Sequence, residues 1–478
     1  MATASDVQAS VTPSGAAPVT SSSPVTTASA PVDQAERITA LDTVRGFALL
    51  GILLMNIIAM GMFGGAYDDP MAAGGSTGPN LWVWTAMHIL AEGKMRCLFS
   101  MVFGAGIILL TSRLEKRGAS LGNTTGSTSG DIYYRRTLWL ILFGIIHAYF
   151  LWMGDILYGY GLCALALYPF RKMSAKGLLR IGVILAVLES GLYIGGGFHF
   201  KQVITDGRAA IEASKQGPLT EKQEGAKREY EQWRKGNRPT AEELKKDADA
   251  WRGNFFSVVG ARAKDVLPGH SQPYYSPLGG NWDIWCMMLI GMGLFKLGVL
   301  TGERSMRFYA LTALMGYGIG IPLNSYSAWL IIKHDFDPVI HFYANSSYDL
   351  GRLTVALGHM AVIMLMCKAG VFHWLTSALG SVGQMAFSNY ITQSVITAFY
   401  FTGYGFKMYG KLERYQLYYV VGAIWIFQLI VSPIWMRHFR FGPLEWCWRS
   451  LTYWKRQPMR LSTPEIQASD TQAGAVIA

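Results

Sequence analysis

Long apolar segments constrain this chain more than any other feature of its sequence. Only 15% of its 478 residues are charged, against roughly 25% in a typical soluble protein. A helix needs about 20 mostly apolar residues to cross the hydrocarbon layer of a membrane. By that measure the sequence predicts an all-α, polytopic membrane protein with about ten transmembrane helices and a polar helical insertion. The predicted spans are 44–63, 81–110, 137–153, 155–170, 180–198, 282–300, 308–332, 352–371, 378–403 and 416–435.

The second span is too long for one straight crossing. It contains the polar stretch AEGKMRC, so it is either a tilted helix or a short re-entrant helix that meets a spanning one. Ionisable groups inside such a segment are costly in lipid and mark either function or a specific partner.

Composition divides the chain into five parts. Its first residues are rich in Ser, Thr, Ala and Pro, and such segments bury too little apolar surface to offset the entropy of ordering. The polar block between the two apolar halves contains a capping box, Thr240 and Glu243, which favours helix there. The predicted parts are a disordered tail at 1–36, a first membrane half of about five helices at 37–200, an extracytoplasmic insertion at 201–280, a second membrane half of about five helices plus an interfacial helix at 281–455, and a disordered tail at 456–478.

Basic residues set the predicted orientation. The connections that follow the second and fourth spans are rich in Lys and Arg, whereas the loop 64–80 contains neither. Because cytoplasmic loops carry the excess of basic residues, we expect a multi-pass protein of a bacterial cytoplasmic (inner) membrane with both termini in the cytoplasm. One short loop disagrees, since Lys407, Lys411 and Arg414 would be external. The net charge of +11 then reflects loops in contact with membrane lipid, and no nucleic-acid partner is expected.

One apolar stretch, GIIHAYFLWMGDILYGYG at 144–161, holds both a histidine and an aspartate. Along one straight helix, His147 and Asp155 would lie about 12 Å apart, which is too far for a hydrogen bond. A reversal of the chain at Gly154 could bring them together. A carboxylate that orients an imidazole makes it a better base, so these two residues are the predicted catalytic pair. The structural alternative is that His147 merely bonds a neighbouring helix.

Further polar residues inside apolar segments are candidates for substrate binding. Asp42 and Arg45 are neighbours on one helix face, as a structural ion pair or as part of a cytoplasmic vestibule for an anion. Lys94 and Arg96 must pair or line a polar cavity. His88, in the same segment, is an alternative base. All these positions are read from the sequence.

A polar stripe in the stretch GSVGQMAFSNYITQS includes Asn389 and Gln393. Such side chains either bond across helix interfaces or line a cavity, and both alternatives stay open. The five cysteines show no paired spacing of metal ligands, so no metal site is predicted.

Five blocks resemble the YeiB-like family (domain of unknown function 418) in the same order along the chain. They are LDTVRGFALLGILLMNI, CLFSMVFGAG, GIIHAYFLWMGDILYGYG, GQMAFSNYITQS and FRFGPLEWCWRSLTYW. That family is similar to transmembrane acyltransferases that use cytoplasmic acyl-CoA, including the lysosomal heparan glucosaminide N-acetyltransferase. The resemblance implies a helical bundle of about ten helices, a tunnel and a histidine base. The YeiB-like pattern points to His147 and Asp155, whereas the H-x-x-x-x-G pattern of the glucosaminide enzyme points to His88 and Gly93.

Two functions are therefore carried forward. The first is an acyltransferase that moves an acyl, in the simplest case acetyl, group from the co-substrate acyl-CoA to an unknown extracytoplasmic hydroxyl or amine acceptor. The second is a transporter or permease of a small, anionic solute, because ionisable residues in glycine-broken helices also build transport sites. A non-catalytic membrane partner is a third interpretation. The sequence gives no oligomeric state.

Overall fold

The computed structural model describes residues 38–120, 128–271 and 282–461, so the predicted tail at 1–36 lies outside the described residues. The secondary structure of these ranges consists of helices without a named strand, which confirms the all-α part of the predicted fold class. The first nine helices are α1 (Thr39–Gly61), α2 (Gly78–Leu90), α3 (Lys94–Ser120), α4 (Ser129–Phe150), α5 (Leu157–Leu167), α6 (Ala175–Ser214), α7 (Glu221–Asn237), α8 (Ala241–Trp251) and α9 (Phe255–Ser271). They are followed by α10 (Trp282–Lys296), α11 (Met306–Lys333), α12 (Pro338–Ala344), α13 (Tyr348–Ala369), α14 (His373–Gln384), α15 (Ala386–Phe401), α16 (Arg414–His438) and α17 (Pro443–Tyr453).

Several helices are long and apolar enough to cross a membrane, which indicates a membrane protein. Within the described residues there are five such segments, fewer than the predicted ten, so the count of about ten is not confirmed. The other helices are either too short, such as α5 with 11 residues and α14 with 12, or are not apolar enough over a length that could cross a membrane. The five segments are Thr39–Gly61, Gly78–Lys116, Ala175–Ser214, Pro338–Ala369 and Arg414–His438.

Two predicted spans are broken helices. The span 81–110 divides into α2 and α3 at Gly93, which has φ +69°. Only glycine adopts this left-handed conformation without strain, and a Cβ here would also overlap the hydroxyl of Tyr348. The chain therefore forms a short helix that meets a longer one here, and not one straight helix. The span 378–403 divides in the same way into α14 and α15 at Met385.

Glycine pairs let helices from the two halves of the chain cross at backbone contact. Where α1 crosses α14, a Cβ at Gly46 would overlap the carbonyl oxygen of Leu379, and one at Gly383 would overlap that of Asp42. Small residues at such crossings are typical of helix packing in membranes, where close van der Waals contact replaces the hydrophobic effect. The two halves therefore form one body around α1, whose Leu49 and Leu53 are fully buried.

The crossing of α3 with α10 gives a matched test of this packing. A Cβ at Gly104 would overlap the carbonyl oxygen of Met288, whereas at Gly106, two residues along the same helix, it would meet no atom within 4 Å. We expect Gly104→Val to lower the free energy of unfolding by about 3 kcal/mol because it forces the helices apart. Gly106→Val should change it little. Thermal unfolding of both variants in detergent checks the difference, and equal melting temperatures would contradict it.

The polar block contributes helices that cover one end of the bundle. The 40-residue helix α6 runs through the predicted boundary at residue 200 without interruption. The pair α7 and α8 is joined by Arg234, which donates two hydrogen bonds of 2.9 and 3.0 Å to Glu243. Together with the backbone N–H of Thr240, this holds the pKa of Glu243 down to about 2. On α9, Arg262 donates to the carbonyl of Phe150 at 2.6 Å, which fixes the insertion to the end of α4.

The C-terminal segment returns to the bundle after α17. Arg440 donates from its backbone N–H to the carbonyl of Met459 at 2.9 Å, and Leu461 donates to that of His438 at 3.2 Å. Residues 456–461, the start of the predicted tail, are thus hydrogen-bonded to the end of α16. The remainder of that tail lies outside the described residues.

Candidate functional site

His147 and Asp155, the predicted catalytic pair, are within hydrogen-bond distance of each other where the chain reverses between α4 and α5. The imidazole Nδ1 of His147 lies 2.7 Å from Oδ1 of Asp155, and the other oxygen, Oδ2, accepts the backbone N–H of Tyr158 at 2.7 Å. Glycines make the approach possible, since a Cβ at Gly144 would overlap the backbone of Tyr158. A Cβ at Gly154 would overlap the Trp152 ring, so close packing explains the glycine that we predicted at the turn.

The surroundings of this pair are closed. Nε2 of His147 lies 2.9 Å from Oγ of Ser394, which completes a Ser–His–Asp hydrogen-bond chain. The side chains of His147 and Asp155 are each 1% exposed, Ser394 is 0% exposed, and the Tyr390 ring covers the imidazole at 5.0 Å. Neither member of the pair lines either of the two main cavities among the described residues. The chain therefore ties α4, α5 and α15 together, and in this conformation no substrate reaches it.

One cavity, which we call the arginine cavity, opens where α1 begins and has a volume of about 270 Å³. Its inner wall is apolar and includes Phe99, Leu140 and Ile156. Four arginines lie along it, from α1, α3, α4 and α17: Arg45, Arg113, Arg136 and Arg449. An apolar interior with cations at its edge suits a ligand that combines a hydrocarbon chain with an anionic group.

Two arginines of this cavity lack an acidic partner within 4.0 Å among the described residues. Arg136 lies over the Trp448 ring at 3.6 Å and Arg449 over that of Phe441 at 4.6 Å. The acidic side chains near these two arginines already have partners within the protein. Asp42 pairs with Arg45 at 2.5 Å.

Glu445 also lines the arginine cavity, and its carboxylate is hydrogen-bonded to the N-terminus of α15. Its Oε1 accepts the backbone N–H of Phe387 at 2.7 Å and that of Ser388 at 3.0 Å. An acid at a helix N-terminus satisfies N–H groups that have no partner inside the helix. Glu445 therefore serves the N-terminus of α15, and Arg136 and Arg449 remain available to an anion.

A second cavity, which we call the acidic cavity, opens at the other end of α1 and has a volume of about 620 Å³. It lies between α1, α2, α6, α13 and α16, with the insertion helix α7 at its edge. Six acids line it: Asp68, Asp69, Glu92, Glu189, Asp283 and Asp349. Three arginines line it as well: Arg96, Arg352 and Arg414.

His88, the alternative base, lines the acidic cavity. Its ring stacks on Trp84 at 5.0 Å, and Nε2 lies 3.3 Å from Oγ of Ser327. Ser327 in turn donates to Oδ1 of Asn345 at 3.5 Å. With that direction of donation, Ser327 accepts from Nε2–H of His88, so Nδ1 carries the lone pair and is the nitrogen able to accept a proton.

Lys94, predicted to bind substrate, instead stabilises the break between α2 and α3. Its side chain is fully buried, and Nζ donates to the backbone carbonyl of His88 at 2.6 Å. The carbonyl of Leu90 also lacks a partner within the helix, and Nε2 of His359 lies 2.9 Å from it. The end of a helix leaves carbonyls without a partner and carries partial negative charge, which explains a buried cation there. Lys94 lines neither the arginine cavity nor the acidic cavity, so the structure does not show the predicted contact with substrate.

Arg96, also predicted to bind substrate, lines the acidic cavity within a network of buried charges. It pairs with Oδ2 of Asp283 at 2.7 Å, and Arg352 pairs with the same oxygen at 2.8 Å. Arg352 also reaches Asp349 at 2.5 Å. The Arg96 side chain is 42% exposed, so it faces the cavity at the end of α1 opposite to Arg45. Arg45 and Arg96, both predicted to bind substrate, therefore line different cavities.

The predicted ligands on α15 lie in a helix interface. Asn389 donates to the carbonyl of Val382 at 3.1 Å and to Oγ of Ser432 at 3.0 Å. Gln393 donates to Oε1 of Gln428 at 2.9 Å. Both are at least 95% buried, and neither lines the arginine cavity or the acidic cavity. Of the two alternatives, inter-helix bonding is the one observed.

In the loop that follows α1, one acid has a shifted pKa. Asp68 keeps accessible surface towards the acidic cavity, but the surrounding protein still removes much of its water. This desolvation and the negative charge of Glu92 raise the pKa of Asp68 to about 6, against the opposing effect of Arg96. The charge of the cavity therefore changes between pH 5 and 7.

Relatives cover nearly the whole chain. It is 30% identical to the uncharacterized protein YeiB of Escherichia coli over 424 residues, which are 87% of this chain and 96% of that protein. The chain belongs to the DUF418 family. The family model described as "Protein of unknown function (DUF418)" matches residues 294–455. The uncharacterized protein YxaH of Bacillus subtilis is 27% identical over 443 residues, covering 90% of this chain and 97% of that protein. No solved structure matches the chain.

In this DUF418 protein the two cavities approach each other across α3. Arg96 lines the acidic cavity and Phe99 the arginine cavity, and three residues correspond to about 4.5 Å along a helix axis. Tyr160, which also lines the arginine cavity, lies with its hydroxyl 2.6 Å from Oγ of Ser100 and 3.4 Å from the carbonyl of Arg96. At this point, one turn of α3 and the Tyr160 hydroxyl lie between a lining residue of each cavity.

Proposed function

We propose that this DUF418 protein is an integral membrane acyltransferase. It moves an acyl group from acyl-CoA in the arginine cavity to a hydroxyl or amine acceptor in the acidic cavity. The approach of the two cavities to opposite sides of one turn of α3 carries the proposal, because it lets a donor and an acceptor from different compartments meet. The resemblance of the YeiB-like family to transmembrane acyltransferases supports the same function.

The proposal includes an orientation. The arginine cavity faces the cytoplasm of a bacterial cell and the acidic cavity the opposite side, with about ten membrane-embedded segments and both termini in the cytoplasm. The excess of basic residues at the end where α1 begins supports this orientation. It also places the insertion outside, where polar segments of this length are translocated irrespective of charge.

The donor fits the arginine cavity by charge and polarity. Arg136 and Arg449, together with Arg45, would bind phosphate groups, to which planar guanidinium groups donate two parallel hydrogen bonds. The acyl chain and thioester would extend into the apolar interior towards Tyr160. The three arginines come from α1, α4 and α17, so donor binding would also join the C-terminal helix to the bundle.

His88 is the proposed base. Its Nδ1 would take the proton of the acceptor hydroxyl or amine as the acceptor oxygen or nitrogen attacks the thioester carbonyl. The C–S bond then breaks, the acyl group stays on the acceptor, and the departing CoA thiolate takes up a proton. His88 lines a cavity, whereas His147 does not, and this difference is the reason for preferring it.

A direct test uses purified protein in detergent with radiolabelled acetyl-CoA and, in parallel, longer acyl-CoA. A heat-treated small-molecule extract of bacterial envelopes supplies the acceptor. The expected result is release of one CoA thiol for each labelled product. If neither donor is consumed with any extract, while protein in vesicles exchanges labelled solute across the bilayer, acyl transfer is ruled out and transport is favoured.

Two neighbouring arginines of α4, Arg136 and Arg135, allow a matched test of the proposed donor site. Arg136→Gln removes a cation that lines the arginine cavity, so we expect the KM for acyl-CoA to rise about 10–100-fold through the loss of charge-assisted hydrogen bonds. Arg135→Gln removes the neighbouring cation, which instead donates to the carbonyl of Thr452 at 3.0 Å. That variant should keep the wild-type KM. Steady-state kinetics of CoA release checks both, and equal effects would exclude a specific donor site at Arg136.

Transport is the second candidate, favoured by one observation. The network of Arg96, Asp283 and Arg352 lies at the partition between two cavities that open at opposite ends of α1. Charged pairs inside membrane segments are typical of ion and solute pathways. Alternating rearrangement of these pairs would connect either cavity to a common binding site, and solute exchange without consumption of acyl-CoA is its signature.

A further inference from the structure

One buried cation of the acidic cavity has no counter-ion. Arg414 begins α16, lines the cavity and is 0% exposed. Its Nη2 donates to the backbone carbonyl of Ala66 at 2.7 Å. Its Nε and Nη1 have no hydrogen-bond partner, and no carboxylate lies within 4.0 Å among the described residues. Three N–H protons of a permanently charged group are therefore buried and unpaired.

The acids closest to Arg414 along the chain or in space are already occupied. Oδ2 of Asp69 accepts from Nε of Arg238 at 2.6 Å, and Oδ1 accepts from the backbone N–H of Met71 at 2.9 Å. Oε2 of Glu413, the preceding residue, accepts from Asn80 at 3.0 Å. A rearrangement confined to these groups would supply Arg414 with a carboxylate only by taking the counter-ion of Arg238 or the hydrogen-bond acceptor of Asn80.

The other buried arginines of the protein differ from Arg414. Arg352, in the same cavity, is paired with Asp283 and Asp349. Arg262, in the insertion, bonds both a carbonyl and the Tyr404 hydroxyl and lies within 6 Å of two aromatic rings. A buried charge is costly unless it is paired, so an unpaired one that lines a cavity points to a partner that arrives with the ligand.

We propose that the guanidinium of Arg414 binds an anionic oxygen group, a carboxylate or a phosphate, on the molecule that occupies the acidic cavity. Only one of the two N–H groups of Nη2 reaches Ala66, so the other can pair with the free N–H of Nε or of Nη1 to form a planar fork that matches two oxygens of such a group. If the proposed function holds, on which this extension rests, the acceptor is an anion that also carries a free hydroxyl or amine. Tyr418, one turn further along α16, lines the same cavity and would contact the ligand beside the anionic group.

The test measures anion binding and does not depend on acyl transfer. The full chain, purified in detergent, is melted at constant ionic strength while chloride is replaced by inorganic phosphate. We expect phosphate to raise the melting temperature of the wild type, and Arg414→Gln to increase the half-effect concentration at least 10-fold. Lys411→Gln removes an equal charge from an exposed position nearby and should respond like the wild type.

The result in chloride alone distinguishes a ligand site from a structural role. A binding residue is costly when unoccupied, so Arg414→Gln should melt at or above the wild-type temperature. A lower melting temperature together with an unchanged response to phosphate would overturn the proposal. If Arg414→Gln does not fold, Arg414→Lys serves in its place, because it keeps the charge without the fork. For Arg414→Lys, the melting temperature should no longer be higher in phosphate than in chloride. A difference as large as that of the wild type would equally overturn the proposal.

Discussion

Replacing His88 with glutamine is expected to lower the turnover of acyl-CoA about 10²–10⁴-fold, the usual contribution of a general base. Glutamine can still bond Ser327, which lies 3.3 Å from Nε2 of the histidine, so the fold should be retained. The KM for acyl-CoA should change little because His88 lies outside the arginine cavity. The kcat for CoA release, measured beside the melting temperature of each preparation, checks both statements.

His147→Gln is the matched control, because it changes the histidine that the sequence favoured as the base. We expect its main effect on stability, since His147 joins Asp155 and Ser394 in a closed interface. Normal turnover in a folded His88→Gln protein, with lost turnover in a folded His147→Gln protein, would return the catalytic role to the α4–α5 reversal. It would also require a conformation in which Tyr390 moves away from His147.

Asp283→Ala is expected to lower the free energy of unfolding by about 3–5 kcal/mol, the cost of leaving a buried charge without its partner. Asp283 is 4% exposed and pairs with both Arg96 and Arg352, so its loss affects two cations. Thermal or denaturant unfolding in detergent measures the change.

An exposed ion pair is the control for Asp283. Arg171 and Glu115 pair at 2.9 Å, with side chains that are 17% and 39% exposed. Glu115→Ala should cost less than about 1 kcal/mol, as surface pairs usually do. An effect of Asp283→Ala as small as that of the control would mean that water in the acidic cavity already screens the charges of this network.

The meeting of His147 and Asp155 could be predicted from the sequence because it depends on local geometry. Two ionisable residues eight positions apart, with a glycine beside the second, indicate a reversal between two helices. The burial of the pair in a closed interface could not be predicted. Whether an imidazole faces a cavity or an interface depends on α15, more than 200 residues away, which supplies both Tyr390 and Ser394.

Charged residues were predicted less well than apolar ones, for a related reason. The cost of a buried charge tells us that Lys94 must have a partner, but the partner is a backbone carbonyl freed by a helix break, which no residue pattern records. From the sequence alone, Arg136 and Arg449 are indistinguishable from other cations at a membrane surface. Only the packing of α17 against α4 places both of them at the arginine cavity. Arg414 was one of three cations that disagreed with the predicted orientation, and its burial in a cavity accounts for that residue, whereas Lys407 and Lys411 are exposed.

The unbroken course of α6 has a mechanical consequence for ligand entry. Forty residues at 1.5 Å each give a rod of about 60 Å, roughly twice the hydrocarbon thickness of a bilayer. Its distal part bears α7, which supplies Trp233 and Asn237 to the rim of the acidic cavity. If a helix of that length tilts by about 5° about one end, its other end moves by about 5 Å. A small change in the tilt of α6 would therefore produce a larger displacement of the α7 residues at the entrance to the acidic cavity.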